Sequence, residues 1–266
     1  MSMPILSVRE LRVTLGSGRA SPANVVDGIS FDLLAGEVLA LVGESGCGKS
    51  KTAEALMGLV PASLGAVRAR RLRLGEQDLL NLPESALRRI RGRDVSMVFQ
   101  EPLTALDPVF RAGEQLADVF RRHRGLGRQQ ARLAAIEMLS RVGFANPELI
   151  LGSYPHELSG GMRQRVVIAM AMACRPQVLI ADEPTTALDV TTQAQVLAQL
   201  TDLAGAAGTA ILLITHDLGI VAQYCDRALV MRHGRIVEEA AVRQLFANPA
   251  HPYTADLLAA ARSGVA

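Results

Sequence analysis

One stretch limits what this chain can fold into more than any other: an apolar strand that runs into a glycine-rich octapeptide and out into a helix. Gly36 opens Glu37-Val38-Leu39-Ala40-Leu41-Val42, a continuous apolar run of the kind buried on both faces of a parallel sheet. It leads directly into Gly43-Glu44-Ser45-Gly46-Cys47-Gly48-Lys49-Ser50, with a helix expected from about Lys49 to Met57. This is the phosphate-loop pattern in the strand–loop–helix setting that gives it meaning. Its glycines let successive N–H groups converge on β- and γ-phosphates, Lys49 adds a point charge, and the Ser50 hydroxyl can ligate Mg²⁺.

A second stretch, residues 152 to 189, places three further pieces of chemistry in succession. Leu158-Ser159-Gly160-Gly161-Met162 feeds an amphipathic run through Cys174. Two glycines ahead of a helix allow close backbone approach, and the helix N-terminus favours an anion there. Val178-Leu179-Ile180-Ala181 then reads as a buried strand ending in Asp182 and Glu183. Acids at the carboxyl end of a parallel strand sit where open α/β sheets bind ligands. Thr185-Thr186-Ala187-Leu188-Asp189 turns the chain into another helix. Taken singly, a Gly-Gly helix start and a capping Asp-Glu pair also have purely structural readings; the upstream phosphate loop makes the functional one the better account.

Composition narrows the class. With 266 residues there is room for one large domain or a domain with a subdomain, and 49% hydrophobic with 20% charged content is that of a globular protein. Aromatics are 3% with no Trp, so the core has to be aliphatic. A net charge of +2 gives no electrostatic case for a nucleic-acid partner. Cys47, Cys174 and Cys225 lack paired spacing and suggest neither disulfides nor a zinc site. The start, MSMPILSVRE, has no signal-peptide pattern, and the most apolar run, Val166 to Cys174, is too short to span a bilayer. The expectation is a cytosolic protein that reaches any membrane through a partner.

Along the chain, residues 5 to 13 and 25 to 34 read as strands, and residues 67 to 74, VRARRLRL, as an edge strand. Pro83 to Arg91 is expected to be a short helix, and Asp94 to Phe99 a strand ending at Gln100. From Glu101 to Asn146 two helical patterns, near 111–123 and 128–142, hinge at Arg124-Gly125-Leu126-Gly127 and read as a helical subdomain inserted into an α/β core. Its basic run, Arg121 to Arg124, reads as a solvated face. Thr191 to Ala204 is a further helix, and Thr209 to Thr215 is an apolar strand that delivers His216 and Asp217 to the ligand-binding end of the sheet. Ala228 to Met231 and Arg235 to Glu238 read as a hairpin turning at His233-Gly234, with a helical tail interrupted by Asn248 to Tyr253.

In this order, a Walker A loop at Gly43–Ser50, a Q-loop at Gln100, the L-S-G-G-M string, a Walker B strand, a D-loop and an H-loop at His216 resemble an ABC transporter ATPase subunit over essentially the whole chain. Phe99 to Pro108, Tyr154 to Arg165 and Asn248 to Thr254 are more specifically similar to the peptide/nickel importer subfamily. The resemblance implies a P-loop NTPase core with an N-terminal antiparallel β subdomain and an inserted α-helical subdomain, approximately 101–165, in a single domain with a short helical tail from about residue 240. Two departures stand out. The adenine-stacking aromatic of the family appears as Leu15. The chain also ends about a dozen residues after His251-Pro252-Tyr253, without a longer cysteine-bearing extension, as nickel-type subunits do.

By this resemblance ATP and Mg²⁺ are the ligands. Gly43 through Lys51, with Leu15 and Gln100, bind nucleotide on one face, and Ser159, Gly160 and Gly161 of a second ATPase subunit close over it in a head-to-tail dimer. Lys49 holds phosphates; Ser50, Gln100 and, through water, Asp182 hold Mg²⁺; Glu183 is the general base and His216 orients the γ-phosphate. Two membrane permease subunits, contacted through Leu103 to Phe110, and indirectly an extracytoplasmic binding protein complete the assembly, with the chain on the cytoplasmic face of the inner membrane. The implied activity is ATP hydrolysis powering peptide uptake, with a nickel or metal-chelate importer as the alternative and a soluble ATPase of DNA repair or translation as a remote one. Cys47, at a helix start beside Lys49, is expected to be the most reactive of the three thiols.

Overall fold

The computed structural model describes residues 3–16, 22–100, 105–186 and 188–262. The chain divides into two compact units, Met1–Leu87 with Ala210–Ala266, and Arg88–Thr209. No helix among the described residues is long and apolar enough to cross a membrane.

The first unit contains an antiparallel sheet centred on strand Leu6–Leu15, which pairs with Ala23–Leu33 on one side. Val8, Leu11 and Val13 are fully buried; Leu11 and Val13 alternate with exposed Arg12, while the three-residue step from Val8 to Leu11 crosses a register shift. The arginine-rich stretch forms two strands instead of one edge strand. Gly65–Arg68 pairs with Arg12 to Leu15, and Arg71–Leu74 pairs with Leu6 to Arg9. The cause lies in the central strand: its register shifts between Val8 and Leu11, around Glu10 at φ 52, so its neighbour has to break too. Gln77–Asp78 then pairs with Arg71–Leu74, which is therefore not the edge.

Beside it in the same unit, Ala210–Ile214, Val38–Val42 and Arg227–Arg232 run parallel, with Arg235–Ala241 antiparallel on Arg227–Arg232. Every residue of Ala210–Ile214 is buried, and only Val38 of Val38–Val42 is less than fully so, which fits strands covered on both faces. Helices Leu218–Tyr224, Val242–Ala247 and Pro252–Arg262 supply one cover: Leu218, Val221, Val242, Leu245, Tyr253 and Leu258 pack with Ala40, Val42 and Val230. The hairpin turns at His233 and Gly234, both at positive φ, a two-residue geometry that matches strand twist. Arg227 ties the unit together, donating to Glu37 (2.8 Å), to the Asp32 carbonyl (2.5 Å) and to Glu239.

In the second unit, Val95–Val98 pairs in parallel with Val178–Asp182. Helices Ala112–Arg124, Arg128–Arg141, Pro147–Gly152, Gly160–Met172 and Val190–Ala207 make up most of the rest. Ala112–Arg124 stops where Gly125 adopts a left-handed conformation at φ 65. Its last turn is Arg121-Arg122-His123-Arg124, so the basic run sits where a helix C-terminus favours positive charge. Phe120 and Leu116 on its inner face are essentially fully buried. Phe120→Ala is expected to cost about 3–5 kcal/mol, the usual range for emptying a buried aromatic site. Urea denaturation would show this as a lowered midpoint at unchanged slope; a midpoint within error of wild type would contradict the packing described.

Candidate functional site

In the first unit, residues 43–50 leave strand Val38–Val42 and enter helix Lys49–Leu56. Gly48 caps that helix at φ 112, and a Cβ there would run into the Val25 carbonyl, so no other residue fits without moving the neighbouring strand. Lys49 is 5% exposed, and its ammonium lies over the loop, donating to the carbonyls of Gly43 (2.7 Å) and Glu44 (3.0 Å). Ser50 is half-buried in the first helical turn, which contains no acidic side chain. The arrangement of a buried ammonium and an uncompensated helix N-terminus is built for an anion. Lys51 pairs instead with Glu54 (2.7 Å), on the helix surface. Gly46 and Ser45 are exposed at the loop's crest.

Leu15 ends its strand opposite Ala23 and Gly65, and His216 is exposed just past the carboxyl end of Ala210–Ile214. Cys47 departs from expectation. It is buried at 8% exposure, and that burial pushes its thiol up, outweighing the nearby Lys49 charge that would lower it. The sequence shows the lysine and the helix start but not the desolvation. Burial likewise raises Cys174, and pushes Cys225 up to about 12 with help from Asp226.

In the second unit, Asp182 (5% exposed) ends strand Val178–Asp182, and Glu183 follows at φ 44, an unusual conformation for a non-glycine residue. Gln100 lies two residues beyond Val95–Val98. Its Nε2 donates to Glu183 Oε2 at 3.1 Å, and the Thr186 hydroxyl donates to the same oxygen at 2.9 Å. The structure thus brings Gln100, Glu183 and Thr186 together. Thr186 had no assigned role in the sequence; its place three residues after Glu183, within one turn, was the available signal. Glu101 to Thr104 and Ala187 lie outside the described residues, so the contact expected at Leu103 has no structural account.

Ser159 caps helix Gly160–Met172, its hydroxyl accepting the Met162 N–H at 3.3 Å. Asp189 caps helix Val190–Ala207 through the Thr192 N–H at 3.0 Å, and the Thr192 hydroxyl and N–H hold its carboxyl below the usual range. Between the two helix starts lies a cleft of about 330 Å³, lined by Ser159, Gly160, Gly161, Arg165 and Thr192 among others. The Asp189 carboxylate also lines it and occupies its own helix start, so the start of Gly160–Met172 and the Arg165 guanidinium are the groups there that suit an anion.

A lysine-centred phosphate loop, a strand ending in Asp-Glu and a capped Ser-Gly-Gly helix start define a nucleotide-binding ATPase cassette. The fold is similar to that of the ATP-binding cassette MJ0796 in a dimeric post-hydrolysis state bound to ADP and Pi (TM-score 0.76, 26% identity, 90% of this chain and 99% of that one). It is equally similar to cbiO1 from Clostridium perfringens, part of the ABC transporter complex cbiONQ (TM-score 0.75, 27% identity, 92% of this chain and 91% of that one). A family model described as ABC transporter matches residues 26–186. The chain belongs to the ABC transporter ATP-binding family. Among curated relatives, it is 50% identical to the oligopeptide transport ATP-binding protein AppD of Bacillus subtilis, over 96% of this chain and 77% of that protein. Identity is also 50% with the peptidoglycan transport ATP-binding protein YejF of Agrobacterium fabrum, over 99% of this chain, which spans about half (48%) of that protein's length. The dipeptide transport ATP-binding protein DppD of Bacillus subtilis is 47% identical over 96% of this chain and 76% of its own length.

The burial pattern makes an expected outcome for the thiols. In a brief maleimide pulse at neutral pH, half-buried Cys174 is expected to react ahead of Cys47, with Cys225 slowest. Peptide mass mapping reads the order, and first labelling at Cys47 would restore the expectation drawn from sequence.

Proposed function

We propose that this chain binds and hydrolyses ATP as the motor subunit of a peptide importer. The observation that carries the reading is the Lys49 ammonium, buried over the loop at the start of a helix without acidic neighbours in its first turn. Relatives named for oligopeptides, dipeptides and peptidoglycan support a peptidic solute over nickel or a metal chelate. The roles follow from the chemistry of each residue. Lys49 and the N–H groups of residues 43–51, other than those of Glu44 and Cys47 that bond within the fold, neutralise the phosphates, and Leu15 offers adenine an aliphatic surface in place of an aromatic one. Glu183 takes the proton of the attacking water. The Gln100 and Thr186 donors, both on Oε2, fix the carboxylate's orientation for that task. His216 orients the γ-phosphate from the carboxyl end of its strand.

Among the described residues no three His, Cys, Asp or Glu side chains converge on a metal site. A hydroxyl at Ser50, an amide at Gln100 and a carboxylate at Asp182 are few, hard donors, which suits Mg²⁺ carried mainly by phosphate and water. Those residues, Asp182 through water, would hold it, and when bound it supplies charge neutralisation at the phosphates.

The cleft at Ser159, Gly160 and Gly161 is assigned to the nucleotide of a second ATPase subunit, in a head-to-tail dimer. The cassette MJ0796, a structural relative, is dimeric. Exposed Val109 and Phe110 in the helical region fit a contact with a permease subunit, which would place the chain at the cytoplasmic face of the membrane. The helical segment beginning after Gln100 serves as the inserted subdomain in this scheme.

Glu183→Gln is expected to retain ATP binding and to lower kcat by about 10²–10⁴-fold, the usual worth of a general base. Steady-state ATPase assays beside nucleotide titration make the check, and near-normal turnover would reject Glu183 as the base.

A further inference from the structure

The string Asn248-Pro249-Ala250-His251-Pro252-Tyr253-Thr254 has no chemistry assigned to it, yet the fold returns it to the phosphate loop. Glu238 of the hairpin, 9% exposed, accepts the N–H groups of Ala250 (2.8 Å) and His251 (2.9 Å). Burial alone would raise this carboxyl, but the two N–H donors hold it below its ordinary value. The segment is therefore fastened to the hairpin as a carboxylate-centred turn. Pro252 then opens helix Pro252–Arg262, and His251 Nδ1 accepts the Tyr253 N–H at 3.1 Å.

This turn sends Tyr253 inward. Its ring packs with Ala40, Val42, Val230 and Leu258, and the Arg232 guanidinium lies over its face at 4.7 Å. Its hydroxyl accepts the Glu44 N–H at 3.2 Å. Burial pushes the phenol up, so the group beside the loop stays a neutral hydroxyl at neutral pH and does not place a phenolate where phosphates bind. At the far end of the loop the Gly234 N–H donates to the Cys47 carbonyl at 2.9 Å, so the hairpin holds that end as well.

One peptide unit links these contacts to the site. The Glu44 N–H held by Tyr253 and the Gly43 carbonyl held by Lys49 belong to the same peptide plane. Rotation of that plane would release the lysine's shorter tether. We propose that Tyr253 is a positioning residue for nucleotide binding: its hydroxyl fixes the Gly43–Glu44 peptide, and that peptide places the Lys49 ammonium. The 248–254 string then belongs to the nucleotide-binding machinery. The inference rests on the reading of the loop as an ATP site.

Tyr253→Phe keeps the ring and removes only the hydroxyl. Kd and KM for Mg-ATP are expected to rise about three- to tenfold, with kcat within about twofold of wild type, the scale of one hydrogen bond acting on binding. Hydrogen exchange at the Glu44 amide is expected to quicken without nucleotide. Leu258→Ala, in the same apolar cluster, is expected to lower the thermal midpoint while leaving KM unchanged. Wild-type ATP affinity and unchanged Glu44 exchange in Tyr253→Phe would overturn this proposal alone. A Tyr253→Phe variant that loses thermal stability without any change in KM would reduce the residue to core packing. Failure of the wild-type chain to bind ATP would overturn the reading of the loop and this proposal with it.

Discussion

A loop that is to offer N–H groups to an anion can use few of them on itself, as the Cys47 N–H does on the Glu44 carbonyl (3.3 Å), so most of its shape has to be imposed by its surroundings. The first unit is arranged to meet that constraint. Strand Val38–Val42, sealed between parallel neighbours, fixes where the loop begins. Helix Lys49–Leu56 fixes where it ends. Between them the chain is held by groups distant in sequence: the Val25 carbonyl against Gly48, the Gly234 N–H on Cys47, and the Tyr253 hydroxyl on Glu44. Lys49 closes the turn from inside, satisfying two loop carbonyls with the charge that a phosphate requires.

The second unit solves a related problem with carboxylates. Strand Val178–Asp182 is buried throughout, so its last residue and the next are placed with little freedom. Glu183 then leaves the strand in a left-handed conformation, a local cost of order 1–3 kcal/mol that catalytic positions commonly carry. Gln100 and Thr186 converge on one of its oxygens. Two helix starts, capped by Ser159 and Asp189, face a common cleft. The groups proposed to bind phosphate and to activate water thus come from different segments, each oriented by regular structure.

The motifs were legible because each needs only neighbours in sequence. A strand, eight loop residues and a helix are contiguous, and Gly43 to Ser50 carry their chemistry in their order. Helices Ala112–Arg124 and Arg128–Arg141 followed from apolar spacing and a glycine hinge, both local signals. The arginine-rich strand failed because its fate depends on the bulge at Glu10 in its partner, about sixty residues earlier, and pairing is not encoded in either strand alone.

The sequence by itself determined the chemistry available: a lysine at a helix start, an Asp-Glu pair after an apolar strand, and a Ser-Gly-Gly helix start. Only the tertiary structure decided what surrounds those groups. Cys47 sits beside Lys49 in the sequence, yet burial, which adjacency cannot reveal, raises its thiol. Gln100 lies 83 residues from Glu183, and only the pairing of their strands brings its amide onto that carboxylate. Tyr253 lies more than two hundred residues from Glu44, and no local pattern connects them. Desolvation and long-range hydrogen bonds depend on which surfaces meet, and that is settled only when the whole core has packed.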